Sequence, residues 1–214
     1  VKIVEAQNVT KRFMGAKVLD SVTLDIRLGE RIAMMGPNGA GKTTLVRAIL
    51  GFYHLDGGRI RVEGHDPVGE RVKVLRNIGF IPQLPPPVKL SVNELLTFVQ
   101  RSTGTKSERV VAQAEAMDLD VQRHIDKPFF KLSGGMKQKL LIAIALARKS
   151  RLLVFDEPTA NLDPKARERF YTLLDGLDYD HSSIFITHRL EEVEGLVNRK
   201  IYMDLGKVVE DEKI

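Results

Sequence analysis

The sequence contains no cysteine. That excludes a disulfide scaffold, a thiolate zinc site and a Cys-ligated iron–sulfur cluster, and it fits a reducing compartment. Long apolar runs are missing too. The longest, Leu140 to Ala147, has eight residues, whereas a bilayer span needs about 20, so the chain is not expected to cross a membrane. No charged segment followed by an apolar stretch opens the sequence, and no secretory signal is expected. Internal repeats and low-complexity tracts are absent. Charge of one sign is also scarce. The 33 Lys+Arg and 28 Asp+Glu leave a net charge of +5, and the two signs are interleaved, which describes an ordinary solvated surface with no nucleic-acid partner. What remains is 214 residues, 43% hydrophobic and 29% charged, enough to bury a sizeable core in one large domain or one domain with an inserted subdomain.

Residues 1 to 30 alternate apolar and polar over Ile3–Val9 and Val18–Ile26, with Met14-Gly15-Ala16 as the turn, a pattern for antiparallel β. From Arg31 the pattern changes to a buried strand, Ile32–Met35, then a glycine-rich loop, then a helix from Lys42 that stops at Gly51. Asp56-Gly57-Gly58 is a hairpin signal before strand-like Arg59–Val62, and Ile78–Ile81 is a further short strand. After Gln83 the composition shifts through Pro85-Pro86-Pro87 into helical patterns. The triplet is either a stiff extended strut serving as a docking surface or a loop spacer. Ser91–Glu94 and Thr105–Glu108 each have the form of a capping box, in which a hydroxyl and a carboxylate satisfy free backbone N–H groups at a helix start. Strands return at Leu152–Phe155 and Ser183–Thr187 around a helix at Pro164–Leu177, and strand–helix–strand order implies a parallel sheet.

Gly36-Pro37-Asn38-Gly39-Ala40-Gly41-Lys42-Thr43 has the spacing G-x-x-x-x-G-K-[ST] and sits between a buried strand and a helix start, with Thr44 following. Glycines let the backbone wrap phosphate oxygens, and the helix N-terminus adds about half a positive charge. Lys42 would reach the β- and γ-phosphates and the Thr43 hydroxyl would meet Mg²⁺. The apolar run Leu152–Phe155 delivers Asp156-Glu157 at its C-terminal end, as a buried parallel strand does. Adjacent strand residues point to opposite faces, so the two acids are expected to differ in role, Asp156 toward Mg²⁺ and Glu157 as the base that orients an attacking water. Leu132-Ser133-Gly134-Gly135-Met136-Lys137-Gln138 precedes a helix with Leu140, Leu141 and Ile144 on its apolar face. Its Ser133 hydroxyl and glycine N–H groups make a second anion site.

With these motifs in this order, the chain resembles the nucleotide-binding subunits of ATP-binding cassette (ABC) transporters over essentially its whole length. The resemblance implies an α/β P-loop NTPase core of ABC ATPase type, formed by 1–83 and 151–214 with an antiparallel β subdomain, and an inserted α-helical subdomain at 84–150 that carries the signature sequence. By the same resemblance Phe13 stacks on adenine, where the family more often has Tyr. Gln83 touches Mg²⁺ and water and passes nucleotide state to the helical insertion. Asp163, in Asn161-Leu162-Asp163, is the key residue of a loop crossing a dimer interface, with Asn161 replacing a more usual Ala or Gly. His188, in Ile186-Thr187-His188, contacts the γ-phosphate. Met136 stands where many members have Gln, leaving Ser133-Gly134-Gly135 intact.

The family's phosphate loop and signature sequence serve opposite faces of an ATP sandwich. The resemblance therefore implies a homodimer or a pair with a related cassette, each site taking Lys42 from one subunit and Ser133–Gly135 from the other. It further implies ATP and Mg²⁺ as cofactors, a separate integral membrane permease as partner, and a cytoplasmic position against the inner face of the membrane. Ser-Gly-Gly-Met-Lys-Gln resembles many export-type cassettes, a lean toward efflux. The short segment after Val209 is expected to leave no room for a regulatory domain. The alternative is a soluble ABC ATPase such as an iron–sulfur assembly factor. A module with a dead ATPase site is disfavoured because Lys42, Glu157 and His188 are all present.

Overall fold

Strand β1 (Lys2–Phe13) and strand β2 (Ala16–Arg27) run antiparallel in a computed structural model that describes residues 1–188 and 190–214. Phe13 already pairs with Ala16, so the turn is only Met14 and Gly15, with φ of 48° and 85°. Two consecutive positive φ values match the twist of a two-residue hairpin, and the glycine adopts its value without steric cost. Strand β3 (Arg31–Met35) leads to helix α1 (Lys42–Ile49), and strand β4 (Gly57–Val62) pairs antiparallel with β1 to complete a sheet of order β2-β1-β4.

The hairpin expected at Asp56-Gly57-Gly58 does not form. No strand lies between α1 and Asp56 to serve as a first arm, and Gly57 already pairs with Thr10 of β1. Asp56 anchors the segment instead. Its N–H donates to the Thr10 carbonyl at 2.9 Å, and its carboxylate accepts the Arg12 N–H at 2.7 Å and faces Lys11 Nζ at 3.2 Å. A carboxylate that can accept a distant backbone N–H competes with its use in a local turn.

Helix α2 (Arg71–Arg76) and strand β5 (Ile78–Ile81) follow. Beyond them come helices α3 (Val92–Thr103), α4 (Ser107–Ala116) and α5 (Gly134–Ala147). Strand β6 (Leu152–Asp156), helix α6 (Pro164–Asp175) and strands β7 (Ser182–Ile186), β8 (Arg199–Asp204) and β9 (Lys207–Lys213) complete the order. Strands β6-β7-β3-β8 lie side by side and parallel, and β9 joins β8 antiparallel. Every residue of β6 and β7 is buried, as expected of strands covered on both faces.

Contacts divide the chain into two units. The first comprises Val1–Ile78, Arg151–Asp156 and Asp180–Ile214, and the second Gly79–Ser150 and Glu157–Tyr179. The second unit is helical and packs Leu95, Leu96 and Val99 of α3 with Val110 and Ala114 of α4, Phe129, and Leu140, Ala143 and Ala147 of α5. Helix α5 buries residues all round rather than along one stripe: Leu140 is buried, Leu141 and Ile144 only partly, and Ile142, Ala145 and Leu146 are also inside. A helix apolar on every face is a central one.

The two expected capping boxes part company. At Ser91 the box is complete, with Ser91 Oγ accepting the Glu94 N–H at 3.2 Å and Glu94 accepting the Ser91 N–H at 2.7 Å. At α4 the N-cap is Lys106, which makes no side-chain cap, and Thr105 is buried with its hydroxyl 2.8 Å from Thr103 Oγ1. The nearer hydroxyl took the group the box required.

Candidate functional site

The loop after β3 is shaped by two glycines. Gly36 has φ 135°, and a Cβ there would collide with the Met203 carbonyl oxygen. Gly41 has φ 100°, and its Cβ would lie 2.8 Å from the Val18 carbonyl oxygen. Backbone conformation and space both require glycine at these positions. Between them Pro37, Asn38 and Gly39 are exposed, while Ala40 is buried. Gly41 is the N-cap of α1, no side chain caps that end, and its first turn holds no acidic residue. The partial positive charge of the helix end is therefore not offset locally. Lys42, 6% exposed, curls back over the loop and donates from Nζ to the Gly36 carbonyl at 2.6 Å and the Pro37 carbonyl at 2.9 Å. Thr44 is half-buried beside it in sequence.

Thr43 and Asp156 meet across the first unit, with Thr43 Oγ1 3.4 Å from Asp156 Oδ2. Asp156 is the buried last residue of β6. Burial pushes its carboxyl above the usual carboxylate range, while Arg47, the Thr43 hydroxyl and Lys42 pull it back. A hydroxyl and a carboxylate are hard oxygen donors of the kind Mg²⁺ takes, so these residues fit that ion. Among the described residues no group of three or more His, Cys, Asp or Glu could hold a metal.

Phe13, 37% exposed at the end of β1, packs edge-on against Tyr53, with ring centroids 5.1 Å apart and planes at 77°. Lys11 Nζ lies 5.2 Å from the Phe13 ring centroid. Tyr53 was not anticipated, although an aromatic pair just after Gly51 was a usable signal. His188 is exposed, following the buried Thr187 after β7.

In the second unit Ser133 is the N-cap of α5, its Oγ accepting the Met136 N–H at 3.2 Å. The helix starts at Gly134, so both glycines are its first residues rather than a loop ahead of it. Ser133 and Gly134 are exposed and Gly135 and Met136 half-buried. A Cβ on Gly135 would meet the Asn161 carbonyl oxygen at 3.2 Å, which sets the signature sequence against the segment after β6. Asp163 caps α6, its Oδ1 accepting the Ala166 N–H at 2.9 Å, a bond that leads in holding its carboxyl below the usual range. Gln83 is exposed after β5.

Glu157 departs from the expected strand alternation. It lies beyond the last residue of β6 with φ 50°, so a left-handed backbone turn, not the pleat, separates it from Asp156. That conformation is uncommon for a residue other than glycine.

Residues 19–160 match the ABC transporter family. The chain belongs to that family. The ABC domain is 36% identical to the sulfate/thiosulfate import ATP-binding protein of Ralstonia nicotianae, over 96% of this chain and 57% of that protein. It is 33% identical to the Nod factor export ATP-binding protein of Burkholderia orbicola, over 96% of this chain and 69% of that one. It thus spans about three fifths of the sulfate/thiosulfate relative's length. In fold it resembles the solved ATP-binding subunit of an ABC transporter, with a TM-score of 0.89 at 24% identity over 99% of this chain and 90% of the other. The α/β cassette architecture is the one the motifs predict. The relatives are named as ATP-binding proteins, and among the described residues no helix is long and apolar enough to cross a membrane.

Proposed function

We propose that this chain binds and hydrolyses ATP as the motor of a transporter whose membrane-spanning permease is a separate subunit. The observation that carries this reading is the Thr43–Asp156 contact beside Lys42, two hard oxygen donors next to a cation in a glycine-built phosphate loop. Gly36 to Thr44 cradle the phosphates, the backbone N–H groups of residues other than Pro37 donating, Lys42 neutralises the β- and γ-phosphates, and Phe13 stacks on the base. Thr43, Asp156 and Gln83 would hold Mg²⁺, which supplies charge neutralisation on the phosphate oxygens when bound. Glu157 takes a proton from the attacking water, and His188 steadies the γ-phosphate.

Residues 1–83 and 151–214 form the nucleotide-binding half of this reading, and 84–150 the helical insertion. Ser133-Gly134-Gly135, its first two residues exposed, presents with Met136 the N-terminus of α5 to the ATP held by a second copy or a related cassette, and Asp163 lies on the loop between them. ATP then joins the two subunits, and loss of its γ-phosphate releases them. The permease holds the cassette at the inner face of the membrane and fixes what is moved. The signature sequence leans toward export, and relatives named for import and for export are similar to the chain to nearly the same degree.

Glu157→Gln tests the chemistry. ATP binding persists and turnover falls by about 10² to 10⁴ fold, measured by phosphate release. A rate equal to that of the unaltered chain removes Glu157 as the base.

A further inference from the structure

Gln138 sits one turn into α5 beyond Ser133 and is fully buried. Its Nε2 donates to the Pro158 carbonyl at 2.9 Å. Its Oε1 finds no hydrogen-bond partner among the described residues. A leucine or methionine of similar volume would remove the unsatisfied Oε1 but would leave the buried Pro158 carbonyl without this donor. What the position gains from glutamine is the bond to Pro158. That carbonyl belongs to the residue directly after Glu157, whose φ of 50° is unfavourable for a side chain with a Cβ and persists only where the surroundings enforce it. The turn is further closed by Ala160 N–H to the Glu157 carbonyl at 3.3 Å and Leu162 N–H to the Thr159 carbonyl at 3.0 Å. A Cβ on Gly135 would be 3.2 Å from the Asn161 carbonyl oxygen. The first two turns of α5 thus hold the 157–161 segment by one hydrogen bond and approach it closely at Gly135.

We infer that Gln138 is a positioning residue for Glu157, holding the Glu157–Pro158 turn to the helix that bears the signature sequence. This rests on the reading of Glu157 as the base. In the proposed dimer Ser133–Gly135 serves one nucleotide and Glu157 the other, so the Gln138 bond makes engagement of the first ATP felt at the carboxylate acting on the second.

The test uses the full chain and its Gln138→Met and Gln138→Leu variants, reading ATP affinity, turnover and melting temperature together, with Glu157→Gln alongside. The expected result, read well below the melting temperature, is an unchanged ATP Kd with kcat lower by about ten- to a hundredfold, beyond any lowering of the melting temperature that follows from orphaning the Pro158 carbonyl. A purely structural residue would not separate kcat from Kd in this way. Unaltered kcat in both variants, with Glu157→Gln slow, overturns the positioning role and leaves the proposed function standing. A kcat that falls only in step with the melting temperature in both variants assigns Gln138 to the fold and overturns it as well. An unaltered chain that binds ATP without turning it over overturns the proposed function, and the positioning role with it.

Discussion

Asp156 carries a cost that the fold accepts for the sake of the site. Its carboxyl titrates above the ordinary carboxylate value, chiefly because it is buried. A raised folded pKa means the folded chain binds the proton more tightly than the unfolded chain, so this group adds stability as pH falls toward the ordinary value and subtracts it at neutral pH, where it is ionised. Asp156→Asn removes the buried charge and keeps an oxygen for Thr43. The expected outcome at neutral pH is a melting temperature raised by about 2–4 °C together with loss of Mg²⁺-dependent turnover. A lowered melting temperature would show that Arg47 and Lys42 compensate the charge in full. The phosphate loop was legible in the sequence because its requirements are local: glycine where φ is positive, lysine one residue on. Gln138 was not legible as anything but part of the signature string. Its partner Pro158 is remote in sequence, and no periodicity links them.

Helix starts show how far local signals reach. Ser91 and Thr105 stand in equivalent strings, and only Ser91 caps its helix. Ser91→Ala is expected to cost about 1 kcal/mol and to speed amide exchange at Glu94, whose N–H the hydroxyl accepts. Thr105→Ala should leave exchange at the start of α4 unchanged, since Thr105 bonds to Thr103 instead. Equal effects of the two substitutions on their helices would contradict the difference. Asp56-Gly57-Gly58 fails for the same reason. A short polar side chain has several possible partners, and the choice depends on which strand folds beside it, here β1. Apolar runs such as Leu152–Phe155 suffer no such competition, and their strands appear where the pattern puts them.

A lone copy of the molecule holds one phosphate loop and one signature sequence, with Ser133 and Gly134 exposed, which yields a test by mixing. Lys42→Ala and Ser133→Arg chains should each be inactive by themselves. A mixed pair has one complete site, so combining them in equal amounts should restore roughly a quarter of the unaltered turnover if sites act independently. No recovery, in a mixture shown by light scattering to contain mixed pairs, would argue against sites shared between subunits. The sequence made the cassette and its motifs plain, while the relatives, named for import and export alike, do not share one cargo. The strand order has a temporal side as well. Strand β3, which delivers the phosphate loop, pairs through Ile32 with Ile184 on one side and Arg199 on the other. On the ribosome the hairpin of β1 and β2 can close early, but β3 must wait for β7 and β8, far beyond it in the chain, before either neighbour exists, and such distant pairings are slow to form. The nascent chain therefore acquires its grip on ATP only once β7 and β8 have followed the phosphate loop off the ribosome, and nucleotide binding marks a closed parallel sheet.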